Sequence, residues 1–352
     1  MKAILLAGGQ GTRLRPLTLH TPKPIVPIFG RPFLHYQIDR ILQVPEIDEI
    51  VLSLNYQPER IEAVFGDGSS LGTRISYVVE PAPLGTAGGI KFASRDIRHT
   101  IVVFNGDVLT QIDVAAVIAM HRARNATATI VLTPVENPAA YGLVETDIGG
   151  NILRFIEKPD PAQITTNYIN AGIYVLEPST FDRIPDGVPW SIERKYFPSL
   201  VERRETFVAY PYDGYWIDIG APDKYTQVHR DILEGRFHAG PFATPSASRT
   251  SVAADAVVAP GATIQGPVFI DAGVTIEDGA RVGPRAVVGR GCRLGPGAVV
   301  EDSILWPDCV IGAGASIRGT VLGAHCRIGQ SVSVGAGAVL GDHTSLTDFT
   351  RA

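Results

Sequence analysis

Three glycines, Gly8, Gly9 and Gly11, follow the apolar run Ala3 to Leu6 and lead into Thr12, Arg13, Leu14, Arg15 and Pro16, with Pro22, Lys23 and Pro24 close behind. Glycines at this spacing let backbone N–H groups approach phosphate oxygens with no Cβ in the way. Arg13 and Lys23 add the charge that neutral amides lack, and a triphosphate carries about four negative charges for such cations to offset. The pattern differs from the G-x-G-x-x-G turn of dinucleotide-binding folds. No lysine follows Gly11, as the G-x-x-x-x-G-K-[ST] loop of kinases requires.

Five further positions could carry chemistry. Asp107 follows the strongly apolar run Ile101 to Phe104, and Asp218 ends an aromatic-rich run. Two hard carboxylates facing a triphosphate suit Mg²⁺, which takes a few carboxylates completed by phosphate and water, although a lone Asp after a strand is ordinarily a cap. Glu157 and Lys158 precede Pro159; alone, such a pair reads as a solvated surface ion pair. Glu80 is a carboxylate able to accept from both N1–H and N2–H of guanine, an edge that thymine and uracil do not present; its plainer reading is a helix cap or a salt-bridge partner.

The elements that must position these residues fall into two halves. From Lys2 to about Tyr212, β-rich runs alternate with amphipathic segments of helical length, the grammar of an α/β domain around a largely parallel sheet. Strands are expected at Ala3 to Leu6, Glu49 to Leu54, Ile75 to Val79, Ile101 to Phe104, Thr129 to Val135 and Gly172 to Leu176, and helices at Phe33 to Gln43, Gln57 to Phe65, Thr86 to Ala93 and Val114 to Arg124. Ligands of such sheets collect at the carboxyl ends of the strands. The expected division is a catalytic domain over 1–235, a linker over 236–250, a repeat domain over 251–346 and a tail over 347–352.

The repeat domain announces itself by period. An aliphatic residue returns every sixth position from Val252 through Val258, Ile264, Ile270, Ile276, Val282, Val288 and Leu294 to Val300; the register slips by one at Leu305 and again at Leu322, and the run ends at Leu346. A six-residue period with glycine at corners means three short strands per coil of a parallel β-helix. Cys292, Cys309 and Cys326 share one place in successive coils, which predicts a ladder of three buried thiols acting as small hydrophobes, with no disulfide and no zinc site.

Composition narrows the function classes. A net charge of −5 offers no general attraction to nucleic acid or to an anionic membrane, so phosphate binding must come from locally placed cations. With 45% apolar residues, no signal-peptide pattern and no run of the roughly 20 apolar residues that spans a bilayer, a cytoplasmic globular protein without nucleic-acid or membrane partners is expected.

Over roughly Met1 to Tyr225 the chain resembles the sugar-phosphate nucleotidyltransferases, whose hallmark is G-x-G-T-R-x-x-P-L-T followed by P-K-P. Within that family it is most similar to mannose-1-phosphate guanylyltransferases with a hexapeptide-repeat tail, through Glu80-Pro81, Leu84 to Gly88, Phe104 to Val108, Tyr141-Gly142, Phe155 to Pro159, Asn170 to Tyr174 and Trp216 to Gly220. The resemblance implies a Rossmann-like domain with a mixed, largely parallel sheet, followed by a left-handed parallel β-helix. It implies transfer of a nucleotidyl group from GTP to a sugar 1-phosphate, with Mg²⁺ held by Asp107 and Asp218. Arg13, Lys23 and Lys158 become catalytic cations. Leu6, Ala7, Gly8, Gly9, Gly11, Thr12, Glu80 and Gly85 bind nucleotide; Asn105, Gly106, Gly142, Glu157 and Asn170 bind sugar. A homo-oligomer is expected. The rival readings are a glucose-1-phosphate thymidylyl- or uridylyltransferase, a heptose-1-phosphate guanylyltransferase, a catalytically silent assembly subunit, and a repeat domain with acyltransferase activity based on His325 or His343.

Overall fold

A computed structural model describes residues 1–242 and 249–352; within the expected linker, residues 243–248 lie outside the described residues. Packing groups the chain into two units, Met1–Gln10 with Leu34–Asp218, and Gly11–Phe33 with Ile219–Ala352.

In chain order the first unit contains β1 (Lys2–Leu6), α1 (Phe33–Ile41), β2 (Glu49–Leu54), α2 (Pro58–Phe65), β3 (Arg74–Val79), α3 (Gly85–Ala93), β4 (Ile101–Asn105), β5 (Val108–Thr110), α4 (Val114–Ala123), β6 (Ala128–Pro134), β7 (Gly142–Thr146), β8 (Ile152–Glu157), β9 (Tyr168–Leu176), α5 (Phe197–Glu202), β10 (Phe207–Pro211) and β11 (Trp216–Asp218). Nine strands form one mixed sheet in the order β8-β7-β9-β4-β1-β2-β3, with β6 on β9 and β10 on β6. Strands β1 to β4 run parallel. Ala3, Ile4, Leu5 and Ile101 to Phe104 are fully buried, which is why these strands read as unbroken apolar runs: helices cover both faces of a parallel sheet. In register, Leu6 pairs with Ser53 on one side and Asn105 on the other, so three carboxyl ends finish level.

Every expected strand and helix is present, with ends within two residues except at β9. That strand starts at Tyr168, and its pairing with β6 shifts register between Asn170 and Tyr174, where Gly172 has φ 74. A bulge thus lets the strand run through Asn170 and Ala171, N-terminal to its expected start at Gly172.

The second unit holds α6 (Pro222–Glu234) and the repeats. Three stacked parallel sheets of six, six and five strands have the arrangement of a left-handed β-helix. All the repeating aliphatic positions from Val252 to Leu346 lie in these strands. Val252, Ile270, Val288, Leu305, Leu322 and Leu340 pair in sequence along one sheet. Both five-residue steps, Val300 to Leu305 and Ile317 to Leu322, fall at the corner between the third and first sheets, so a corner is shortened and no strand is displaced. Corner aspartates tie coils together: Asp255, Asp342 and Asp348 accept N–H bonds from Gly273, Ala324 and Gln330 in the coil beside them.

The cysteines form the expected ladder. Cys292, Cys309 and Cys326 are free and fully buried, and their thiols donate to the carbonyls of Trp306, Gly323 and Gly341 at 3.1, 3.1 and 3.2 Å. Hydrogen bonding from the neighbouring thiol and burial push the Cys309 and Cys326 thiols well above the ordinary range. Burial and low thiolate content both suppress reactivity. The native protein is therefore expected to show no thiol reactive toward a disulfide exchange reagent, and the denaturant-unfolded chain three; a fast-reacting native thiol would contradict the ladder.

Candidate active site

At the level carboxyl ends of β1, β2 and β4, Gly106 N–H donates to Leu6 O at 3.0 Å and Ala7 N–H to Ser53 O at 2.9 Å. A Cβ on Gly106 would lie 2.3 Å from Leu6 O, so glycine is required there by close backbone approach, and one on Gly8 would lie a tight 3.0 Å from Asn55 N. Gln37 of α1, 2% exposed, donates its amide to Asn105 O at 2.8 Å and to Val108 O at 2.7 Å, pinning the chain on both sides of Gly106 and Asp107. Strand β11 pairs antiparallel with β5, and Asp218 stands opposite Val108. Asp218 thus ends one strand opposite the residue that follows Asp107, which sits in the turn leading into β5, and both expected metal carboxylates are half-buried. Two carboxylate donors fit a cation that completes its shell with phosphate and water. Among the described residues no group of three or more His, Cys, Asp and Glu forms a closed metal cage.

Two of the expected sugar residues, Asn170 and Asn105, meet at one tyrosine. Asn170 Nδ2 donates to the Tyr174 hydroxyl at 2.9 Å, Asn105 Nδ2 lies 3.5 Å from the same oxygen, and Gly172 N–H donates to Asn170 Oδ1 at 2.9 Å. Burial, and then the Glu193 carboxylate, push the Tyr174 hydroxyl well above its ordinary range, keeping it neutral. The buried Asn105 Oδ1 has no hydrogen-bond partner among the described residues, an unsatisfied acceptor beside this group. Gly142 pairs with Glu157 across β7 and β8, and a Cβ there would lie 2.7 Å from Phe155 Cζ and 2.9 Å from Glu157 Oε2. Exposed Lys158 has φ 52, and its N–H donates to Tyr141 O at 3.1 Å. Trp216 of β11 stacks edge-on against Tyr141 and donates its indole N–H to Ala171 O at 2.9 Å, joining this group to the strand that carries Asp218.

Glu80 and Gly85 frame a second corner. Glu80 accepts from Ser53 Oγ at 3.1 Å and, at the start of α3, from Leu84 N–H at 2.9 Å, which is a helix-capping arrangement. Gly85 has φ 67, and a Cβ there would lie 2.9 Å from Trp190 O. From this corner a chain of contacts runs toward Glu157. Thr86 Oγ1 accepts from Ile192 N–H at 2.8 Å and donates to Glu193 Oε2 at 3.1 Å; Glu193 and Arg194 lie on a π-helical turn, Ile192–Tyr196. Burial first, then Glu193, raises the Glu157 carboxyl, opposed by Lys158 and Arg194. Sequence reasoning passed over Glu193, Arg194 and Gln37, which no local motif marks: Glu193 bonds Thr86 and Gln37 bonds Asn105 and Val108, far away in the chain. Tyr174 ends the Asn170 to Tyr174 motif, but residue order does not single it out as a hydrogen-bonding hub.

Gly11, Thr12, Arg13 and Lys23 belong to the second unit, so the glycine-rich motif is shared between units. Gly11 has φ 61, and a Cβ there would lie 3.1 Å from Lys23 Cβ and 3.2 Å from Thr18 Cγ2; Thr18 Oγ1 donates to Gly11 O at 2.7 Å. The loop therefore closes around Lys23, which is 7% exposed, while Arg13 stands exposed on the single turn Thr12–Leu14.

Residues 2–235 match the family described as Nucleotidyl transferase. The chain belongs to that family. Residues 264–351 of this nucleotidyltransferase also match the domain described as GMPPB C-terminal domain. It is 39% identical to a mannose-1-phosphate guanylyltransferase of Mycobacterium tuberculosis, covering 76% of this chain and 79% of that one. It is 36% identical to a UTP–glucose-1-phosphate uridylyltransferase of Synechocystis, covering 66% and 63%. The crystal structure of HddC from Yersinia pseudotuberculosis complexed with GMP-PN matches with a TM-score of 0.54 at 28% identity, over 64% of this chain and 96% of that one. Members of the family generally use a divalent metal. No described helix of the nucleotidyltransferase is long and apolar enough to cross a membrane.

The Glu157–Glu193 pairing predicts a pH effect. A raised Glu157 carboxyl stays protonated further up the pH scale, and a protonated carboxyl accepts fewer hydrogen bonds. Glu193→Gln removes the repulsion, so the acid limb of the pH profile of kcat/KM for the sugar phosphate is expected to move to lower pH. An unmoved limb in a folded variant would separate the two carboxylates.

Proposed function

We propose that this nucleotidyltransferase joins GTP and mannose 1-phosphate to give GDP-mannose and pyrophosphate. The reading is carried by Asp218 standing opposite Val108, which sets two carboxylates at the strand ends where Gly106 closes on Leu6. The mycobacterial and Yersinia relatives, named for a mannose-1-phosphate guanylyltransferase and for a complex with GMP-PN, support the choice of substrates.

An oxygen of the sugar 1-phosphate attacks the α-phosphorus of GTP, a new P–O bond forms, and the bond to the bridging oxygen of the β-phosphate breaks as pyrophosphate leaves with that electron pair. The nucleophile is already ionised near neutral pH, since the second pKa of a phosphate monoester is about 6, and no general base is required. Catalysis rests on positioning and on neutralising charge. Arg13 and Lys23 neutralise the leaving pyrophosphate, and the N–H groups of Gly8, Gly9, Gly11 and Thr12 line its path. Lys158 aligns the sugar phosphate. Glu157, Asn105, Asn170 and the backbone at Gly106 and Gly142 orient the sugar hydroxyls. Asp107 and Asp218 would hold Mg²⁺, which when bound supplies charge neutralisation at the reacting phosphates.

Guanine is read at Leu6, Ala7, Glu80 and Gly85. A carboxylate offers about four lone-pair sites, and Ser53 and Leu84 occupy one on each Glu80 oxygen, leaving capacity for N1–H and N2–H of the base. We further propose that the enzyme is cytoplasmic and works as a homo-oligomer.

Pyrophosphate release measured over a matrix of nucleoside triphosphates and sugar 1-phosphates is expected to be greatest for GTP with mannose 1-phosphate; a maximum with UTP or dTTP would reject the assignment. Asp107→Ala is expected to lower kcat about 10²- to 10³-fold without loss of fold, and near-normal turnover would remove its carboxylate from the site. Glu80→Gln is expected to erode preference for GTP over dTTP in the same assay. Unchanged selectivity would leave Glu80 as a cap only.

A further inference from the structure

The segment after the glycine turn packs with the repeats in the second unit. Asp271, Gly289, Trp306, Gly323 and Gly341 each follow the aliphatic residue of the first sheet and stack as one column, linked by Asp271 N–H to Val288 O, Gly289 N–H to Leu305 O, Trp306 N–H to Leu322 O and Gly323 N–H to Leu340 O. Three rungs of this column meet the segment Gly11–Phe33. At the first, a Cβ on Gly30 would lie 2.7 Å from Asp271 Oδ2, and the Phe29 ring packs edge-on against Phe269. At the middle rung, Trp306 Nε1 donates to the Tyr225 hydroxyl at 2.9 Å, which donates in turn to Pro27 O at 2.5 Å. At the far rung, a Cβ on Gly341 would lie 3.1 Å from Pro16 Cβ, and Thr21 Oγ1 donates to Asp342 Oδ2 at 3.3 Å. From first to far rung is four steps, about 19 Å at the usual strand spacing.

The glycines of the column differ in a telling way. The space a side chain would fill at Gly289 and at Gly323 is taken by the next coil, whereas at Gly341 it is taken by Pro16. Gly341 has no left-handed φ to account for it. Glycine at this rung serves the segment that carries Arg13 and Lys23.

We propose that Gly341 and Asp342 are positioning residues of the transfer reaction: the coil that carries them seats Pro16 and Thr21 and so fixes Arg13 and Lys23 for the triphosphate. The proposal rests on the reading that those two cations hold the triphosphate. It gives the β-helix a part in nucleotide binding. In steady-state assays of the full chain, Gly341→Val is expected to raise KM for GTP about tenfold while KM for mannose 1-phosphate and the thermal unfolding midpoint hold, because a small misplacement of binding groups is costly. Thr21→Val leaves the repeats untouched and is expected to move KM for GTP the same way; Asp342→Asn, which keeps an acceptor for Ala324 N–H and a hydrogen-bonding partner for Thr21, is expected to stay near wild type. Should Gly341→Val fail to fold, Thr21→Val decides. Wild-type KM for GTP in the folded variants, or an equal rise in both KM values with loss of thermal stability, would overturn the proposal. Arg13→Ala tests the underlying reading separately: if it leaves KM for GTP unchanged, that reading falls whatever the Gly341 and Thr21 variants show.

Discussion

The hydrogen bond from Gly106 N–H to Leu6 O, with only 2.3 Å between that oxygen and where a Cβ would stand, governs the candidate site. It draws the end of β4 against the end of β1 more closely than any other residue type permits. The glycine turn and the Asn105–Asp107 corner consequently leave the sheet at one level. Everything placed relative to that level inherits its precision: Gln37 clamps the carbonyls on either side of the corner, and β11 docks on β5 so that Asp218 faces Val108. On the proposed function, the groups that would meet a charged reactant are held by backbone geometry and a buried amide, so little reorganisation would be left for the moment of reaction.

Electrostatics in the first unit follow from unequal burial. Glu157 and Glu193 are half-buried, so burial and mutual repulsion raise the Glu157 carboxyl, while Lys158 and Arg194 stand exposed nearby and oppose the rise. On the proposed function a polyanionic substrate brings its own negative charge, and a cation such as Lys158, left in water until it arrives, pays no desolvation cost in its absence. Tyr174 shows the opposite treatment. Fully buried and kept neutral, it works as a hydrogen-bonding hub for Asn170 and Asn105.

Much of this was legible from residue order alone, wherever one physical rule dominates a stretch. Burial on both faces makes β1, β2 and β4 continuous apolar runs, and coil stacking makes every sixth residue from Val252 aliphatic, with both slips at one corner. Close backbone approach explains Gly8 and Gly106, a left-handed φ and packed side chains explain Gly11, and the Phe155 and Glu157 side chains explain Gly142, all marked by the sequence pattern. What escaped was set by contacts distant in the chain. Short strands such as β5 and β11 lack a period of their own and exist because they pair with each other. Glu193 gains its place through Thr86, and the bulge at Gly172 is visible only once β6 lies alongside. The membership of Gly11–Phe33 in the repeat unit has no local signature, because Phe29 finds Phe269 and Thr21 finds Asp342 across most of the chain's length.

That last grouping bears on what a repeat domain contributes to an enzyme. A β-helix is stiff along its axis because each coil is bonded to the next through three ladders and, in this chain, through corner aspartates and a thiol-to-carbonyl ladder. A segment touching one rung can rock; one held at two rungs of a single column, at Asp271 and Gly341, and tied to a third through the Tyr225 hydroxyl that bridges Trp306 and Pro27, has its path fixed over the whole distance between them. Lys23 lies within that path, buried and wrapped by Gly11 and Thr18. Holding a buried cation still demands a rigid neighbour, since a lysine stem has several rotatable bonds whose freedom must be given up. Strands stacked in register supply that rigidity through an interior of aliphatic residues, alanine and thiols.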